Sequence, residues 1–258
     1  MKAEILTLIF AGLALTGTAQ PASGTGKEKK GTFYLALGSH RAFYSPTDIR
    51  VTRGTEPSFD FTLHHVKAED EGGLRWKTAP QFSYRIGYYF NKKKFGVEYS
   101  YDHIKYFVKQ GQRVRVTGTI QGVPQDRDTT ITAGFFQMEH SDGGNYAMIN
   151  LVKIWPLYEK VKGQPIVDLI GRAGVGIVNP KTNTTILGAH RDDKYHFSGY
   201  VIGTEWGARV HFLKNFYVMG SVKGAYANYN RFLIYQGFGN HQFFSGAFNY
   251  FIGGQFPL

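Results

Sequence analysis

Residues 81–90 (QFSYRIGYYF) and 95–102 (FGVEYSYD) place bulky apolar side chains at every second position on either side of a short polar turn, NKKK. Side chains on a strand alternate between two faces, so each segment resolves into two columns. In the first, Phe82, Tyr84, Ile86, Tyr88 and Phe90 oppose Ser83, Arg85 and Gly87. In the second, Phe95, Val97, Tyr99 and Tyr101 oppose Gly96, Glu98, Ser100 and Asp102. Residues 167–178, 198–212, 216–226 and 245–254 follow the same scheme, with Asp168, Arg172, Glu205, Arg209, His211 and Lys223 on the polar column. Residues 32–41 and 144–156 add two more segments; Lys153 falls on an apolar column, a place suited to a membrane rim where a long side chain can snorkel. Eight strands are expected.

The linkers decide which way the columns face. Residues 91–94, 157–164 and 213–215 are short, whereas 42–80, 109–143, 179–194 and 231–241 are long and polar. Short turns alternating with long loops predict an all-β fold, an eight-stranded antiparallel up-and-down transmembrane β-barrel with long extracellular loops. The apolar column then meets lipid and the polar column fills the interior. Arg85, Arg172, Arg209 and Lys223 balance Glu98, Asp102, Asp168 and Glu205. An eight-stranded barrel is only wide enough for its own side chains. Buried ions there must pair, because an unpaired one costs several kcal/mol. The expectation is a self-neutralised plug, given room by glycines at 87, 96, 174, 203 and 207, and no wide pore.

Composition agrees: 32 Gly, 21 Phe and 17 Tyr against 9 Pro favour strands, and the absence of Cys removes disulfide and thiol chemistry. Residues 1–19 read as a secretory signal peptide, 20–30 as a flexible lead-in and 31–258 as one barrel domain. Export to the outer membrane makes a nucleic-acid partner unexpected despite the formal charge of +11. Outer-membrane lipid is the expected partner. Arg41, Arg50, Arg53, Lys67, Lys109, Arg113 and Arg115 would ring the outer rim, where guanidinium forks suit lipopolysaccharide phosphates. The pairs His64–His65 and His190–His196, each near acids, lack ligand spacing, so neither a metal nor a cofactor is expected.

Across residues 31–256 the pattern resembles the small eight-stranded outer-membrane barrels of Gram-negative bacteria, the OmpA-like and OmpX-like group. Such barrels usually finish on an aromatic residue; here Tyr250, Phe251 and Phe256 are present, but the chain ends QFPL. The resemblance implies a structural or surface-ligand-binding envelope protein. Two alternatives stay open. A secreted lipocalin-like carrier requires an apolar interior. A lipid A acyl hydrolase is suggested by residues 135–146, FFQMEHSDGGNY, which resemble the His-x-Ser-Asn region of outer-membrane deacylases, with His140 as base, Ser141 as nucleophile and Glu139 or Asp142 as supporting acid. In this chain His140 and Ser141 are adjacent, and on a regular strand they would face opposite ways.

Overall fold

The computed structural model describes residues 31–70, 81–90, 95–140, 142–161 and 164–258. The expected signal peptide, the lead-in and Ser141 lie outside the described residues. Those described form antiparallel strands and no helix. In chain order the first ten are β1 (Gly31–Tyr44), β2 (Thr47–Arg53), β3 (Phe59–Val66), β4 (Ala68–Glu69), β5 (Ser83–Phe90), β6 (Phe95–Asp102), β7 (Tyr106–Val108), β8 (Arg113–Ile120), β9 (Val123–Thr130) and β10 (Phe136–His140). Then follow β11 (Tyr146–Val161), β12 (Gln164–Val178), β13 (Asn183–Ile186), β14 (Ala189–Asp192), β15 (Gly199–His211), β16 (Phe216–Ile234) and β17 (Gly237–Pro257).

Each of the eight segments with two-column patterning becomes a strand. Their ladder runs β1-β5-β6-β11-β12-β15-β16-β17, and β1 also pairs with β17 from Thr32↔Pro257 to Tyr44↔Ser245, so the hydrogen bonding returns on itself. The columns face as the pattern requires. Trp206, Val175 and Tyr250 are each 60% or more exposed on the outside, while Arg85 and Glu98 are 0% and 1% exposed within. Lys153 stays half-buried on the outward column. Two inward glycines make room for polar neighbours: a Cβ on Gly87 would overlap the Tyr34 ring, and one on Gly174 would overlap the Asn150 carboxamide.

The long loops are more ordered than their polarity suggests. β2, β3, β8 and β9 continue the main sheet beyond the upper end of β17, where Phe238 to His241 pair with Thr52 to Ile49. β14-β13-β10-β7-β4 make a second sheet. Together with the upper ends of the ring strands they enclose an apolar core that includes Phe61, Leu63, Val116, Phe136, Met138 and Phe243. We call this part the cap. A smaller apolar cluster, including Tyr34, Tyr217 and Phe251, lies inside the ring.

Candidate functional site

The ring interior holds two sets of ions. Arg85 donates through Nη1 to Asp102 Oδ1 at 2.7 Å and through Nη2 to Glu205 Oε2 at 3.0 Å, and its Nε lies 3.8 Å from Glu98 Oε1. Arg172 joins the same acids, with Nε to Glu98 Oε2 at 2.9 Å and Nη1 to Glu205 Oε1 at 3.1 Å. Lys223 Nζ completes the set on Asp102 Oδ2 at 2.5 Å. Three cations therefore face three carboxylates. Below them, Asp168 Oδ2 accepts from Arg209 Nη2 at 2.6 Å and contacts His211 Nε2 at 2.8 Å. Aromatic faces complete the shell: Arg85 lies 4.7 Å from the Phe251 ring centroid and Arg209 4.9 Å from that of Tyr217.

All eight inner ions expected from the pattern are thus buried and joined in two clusters. Their neutral partners are a structural addition. Tyr34 donates to Glu98 at 2.8 Å, Ser221 to Glu205 at 2.7 Å, and Asn150 reaches Glu98 and Ser100. Each sits on the inward column, so position alone could have nominated them. His211, already on the polar column, belongs with Asp168. Because each acid carries two or more donors, the arrangement offsets the cost of burying charge.

The expected rim cations do not act as one phosphate-facing set. Arg50 is bidentate on Asp60 and Arg115 on Asp126, and Arg113 lies 3.4 Å from Asp128. Arg53 is 6% exposed, bonded to Gln236 Oε1 and the Glu56 carbonyl, and lies 4.7 Å from the Tyr235 ring centroid. Arg50, Arg113 and Arg115 are exposed yet paired, because strand alternation does not show which acids stand across the ladder, and Arg53 alone of the four is buried. Arg41, Lys67 and Lys109 remain exposed.

His140 is fully buried in the cap, stacked on Tyr229 with centroids 5.0 Å apart. Its Nδ1 is 3.0 Å from Thr182 Oγ1 and its Nε2 is 3.2 Å from His241 Nε2. Burial pulls the His140 imidazole down to about 3, and burial together with the neighbouring His140 pulls His241 well below its ordinary value. His140 is enclosed by Tyr106, Tyr229, Phe232 and His241 and, at 0% exposure, is closed to a lipid substrate in this structure. Of the histidines near acids, His64 Nδ1 lies 2.9 Å from Asp48 Oδ2, while Asp192 pairs with Lys181 and Asp193 with Arg191.

No family model and no curated protein matches the chain. Among solved structures, the backbone is similar to the attachment invasion locus protein Ail of Yersinia pestis, crystallised with the heparin analogue sucrose octasulfate. Identity is 12%, coverage is 88% of this chain and 99% of that one, and the TM-score is 0.38. Neisserial surface protein A is similar at 10% identity, covering 85% and 98%, with a TM-score of 0.34. Scores this low assign no family.

Proposed function

We propose that the chain is a non-enzymatic outer-membrane protein, an eight-stranded transmembrane barrel plugged by its own ions, which holds the cap at the cell surface as a ligand-facing module. The observation that carries this reading is the reversed polarity of the ring, apolar outside and ionic within. A water-facing belt of this kind would far exceed the few hundred Å² of contiguous apolar surface that soluble monomers tolerate. An apolar-lined carrier is the opposite arrangement.

Exposed rings stand at both ends of the apolar belt, where a bilayer has its two interfaces, and others, such as Trp206, Phe248 and Tyr250, stand between them. Phe43, Phe82, Tyr200 and Phe244 lie towards the cap, and Phe33, Phe90, Phe212 and Phe216 towards the other end. From Tyr200 to Phe212 is roughly 40 Å along the strand, or about 30 Å across a bilayer at a barrel-like tilt. Arg41 projects outward opposite Phe248, two positions before Phe43, where a guanidinium can reach lipopolysaccharide or phospholipid phosphates.

The test is depth. In vesicles containing lipids brominated on the acyl chain, Trp155 and Trp206 should be quenched, and Trp155→Phe/Trp206→Phe should abolish most of that quenching. Unquenched indoles, or a mature protein soluble without detergent, would remove the membrane assignment. Planar-bilayer recordings should show no large, stable porin-like conductance, since the ion clusters fill the lumen.

A further inference from the structure

Where β16 and β17 rise out of the ring, their outward positions change from rings to carboxamides. Asn228 and Asn230 lie two apart on β16, and Asn240 and Gln242 two apart on β17, with Asn228 and Gln242 in register. With Asp48 and His65 they line an open cleft of about 610 Å³. Asn228, Asn230 and Asn240 make no side-chain hydrogen bond to another described residue, so three carboxamides face the cleft with donors and acceptors uncommitted.

The charges around the cleft decide what it can take. Both Asp48 oxygens are engaged, Oδ2 with His64 Nδ1 at 2.9 Å and Oδ1 by the His65 N–H at 2.8 Å. Burial would raise that carboxyl, but these hydrogen bonds outweigh it and hold Asp48 below its ordinary value. Arg50, the register partner of Asn240, is closed on Asp60 by two hydrogen bonds. That guanidinium is therefore already neutralised, no described arginine or lysine lines the cleft, and a phosphate or sulfate would meet Asp48 instead. A neutral molecule rich in hydroxyls matches uncommitted carboxamides, because each hydroxyl both donates and accepts.

We propose that this cleft binds a neutral saccharide. Its floor lies one outward position above the contact between Tyr226 and Phe244, whose ring centroids are 5.2 Å apart, and Tyr226 donates to Gln242 Oε1 at 2.6 Å. If the ring spans a bilayer as proposed above, that height is the headgroup level, and the sugar of an outer-leaflet glycolipid can enter without leaving the membrane.

The experiment follows the side-chain NH₂ resonances of the full mature chain in phosphatidylcholine nanodiscs during titration with maltotriose, with inorganic phosphate in parallel. Saturable shifts at Asn228, Asn230 and Asn240 with maltotriose alone are expected. Asn228→Ala/Asn240→Ala should weaken binding about tenfold or more, the loss of one or two hydrogen bonds, while heat-modifiable gel migration is unchanged. In a second arm, glucosyl-diacylglycerol replaces the free sugar; shifts there identify a lipid-linked source, and shifts only with maltotriose identify a soluble one. Saturation by phosphate instead, or no saturable shift with either saccharide, overturns the proposal. Incorporation into the nanodisc reads the barrel and the free-sugar titration reads the cleft, so failure of one is distinguished from failure of the other.

Discussion

Arg85→Met should be the most destabilising single substitution in the ring, lowering unfolding free energy by about 3–5 kcal/mol. The side chain is 0% exposed and bridges Asp102 and Glu205, with Glu98 close to its Nε. Removing it leaves three carboxylates with only Arg172 and Lys223 between them. Urea unfolding of the refolded protein in lipid vesicles reads the loss. Adding Glu205→Gln removes one of the stranded charges and should recover part of it, with non-additivity above about 0.5 kcal/mol marking the coupling. Arg50→Met, which breaks an exposed pair, should cost less than about 1 kcal/mol. Equal costs for Arg85 and Arg50 would mean that the interior ions are solvated.

The second large effect is acid weakening of the cap through His140 and His241. Both imidazoles are held neutral by burial, and no acid offsets that burial. Above the ordinary histidine value of about 6.5 they are neutral whether folded or not, and contribute no pH dependence. As pH falls below it, the unfolded chain takes up protons that the folded cap refuses, so stability declines until the folded value is reached. For His140, at about 3, the loss by pH 5 is about 2 kcal/mol, with a limiting slope of about 1.4 kcal/mol per pH unit. Carboxylates contribute little down to pH 5. Hydrogen exchange of the β10 and upper β17 amides between pH 7.5 and 5 should show this loss, and His140→Phe should flatten it by the His140 share. An unchanged slope in that variant would place the titration elsewhere.

The ring was legible because period-two alternation is a local signal that repeats eight times. Arg85 and Glu98 could be assigned to the polar column from their immediate neighbours, and the loop lengths turned that column inward. The cap was not legible in the same way. TDIRVTR and FDFTLHHV alternate just as clearly, yet the partners of β2 are β17 and β3, and β3 goes on to pair β8 across a long loop. Such choices rest on non-local contacts that no window of sequence contains. The arginines of β2 and β8 looked free for the same reason, since Asp60 and Asp126 become neighbours only once the ladders form. His140 read as candidate chemistry because the ring stacking that buries it comes from Tyr229 and Phe232, far along the chain. The carboxamide cleft was half visible: NYN and NHQ space their amides two apart, but facing them across one surface needed the β16–β17 register.

β16 and β17 run for 19 and 21 residues from the lower part of the ring into the cap without a break in chain. The two strands work as a mast stepped through the hull. Their shared ladder shifts register only between Tyr229 and Phe232, beyond the ring, so on the proposed topology the cap should tumble only as fast as the whole particle turns. On the proposed topology, anything seated on its flank is held at a fixed height and heading above the lipid.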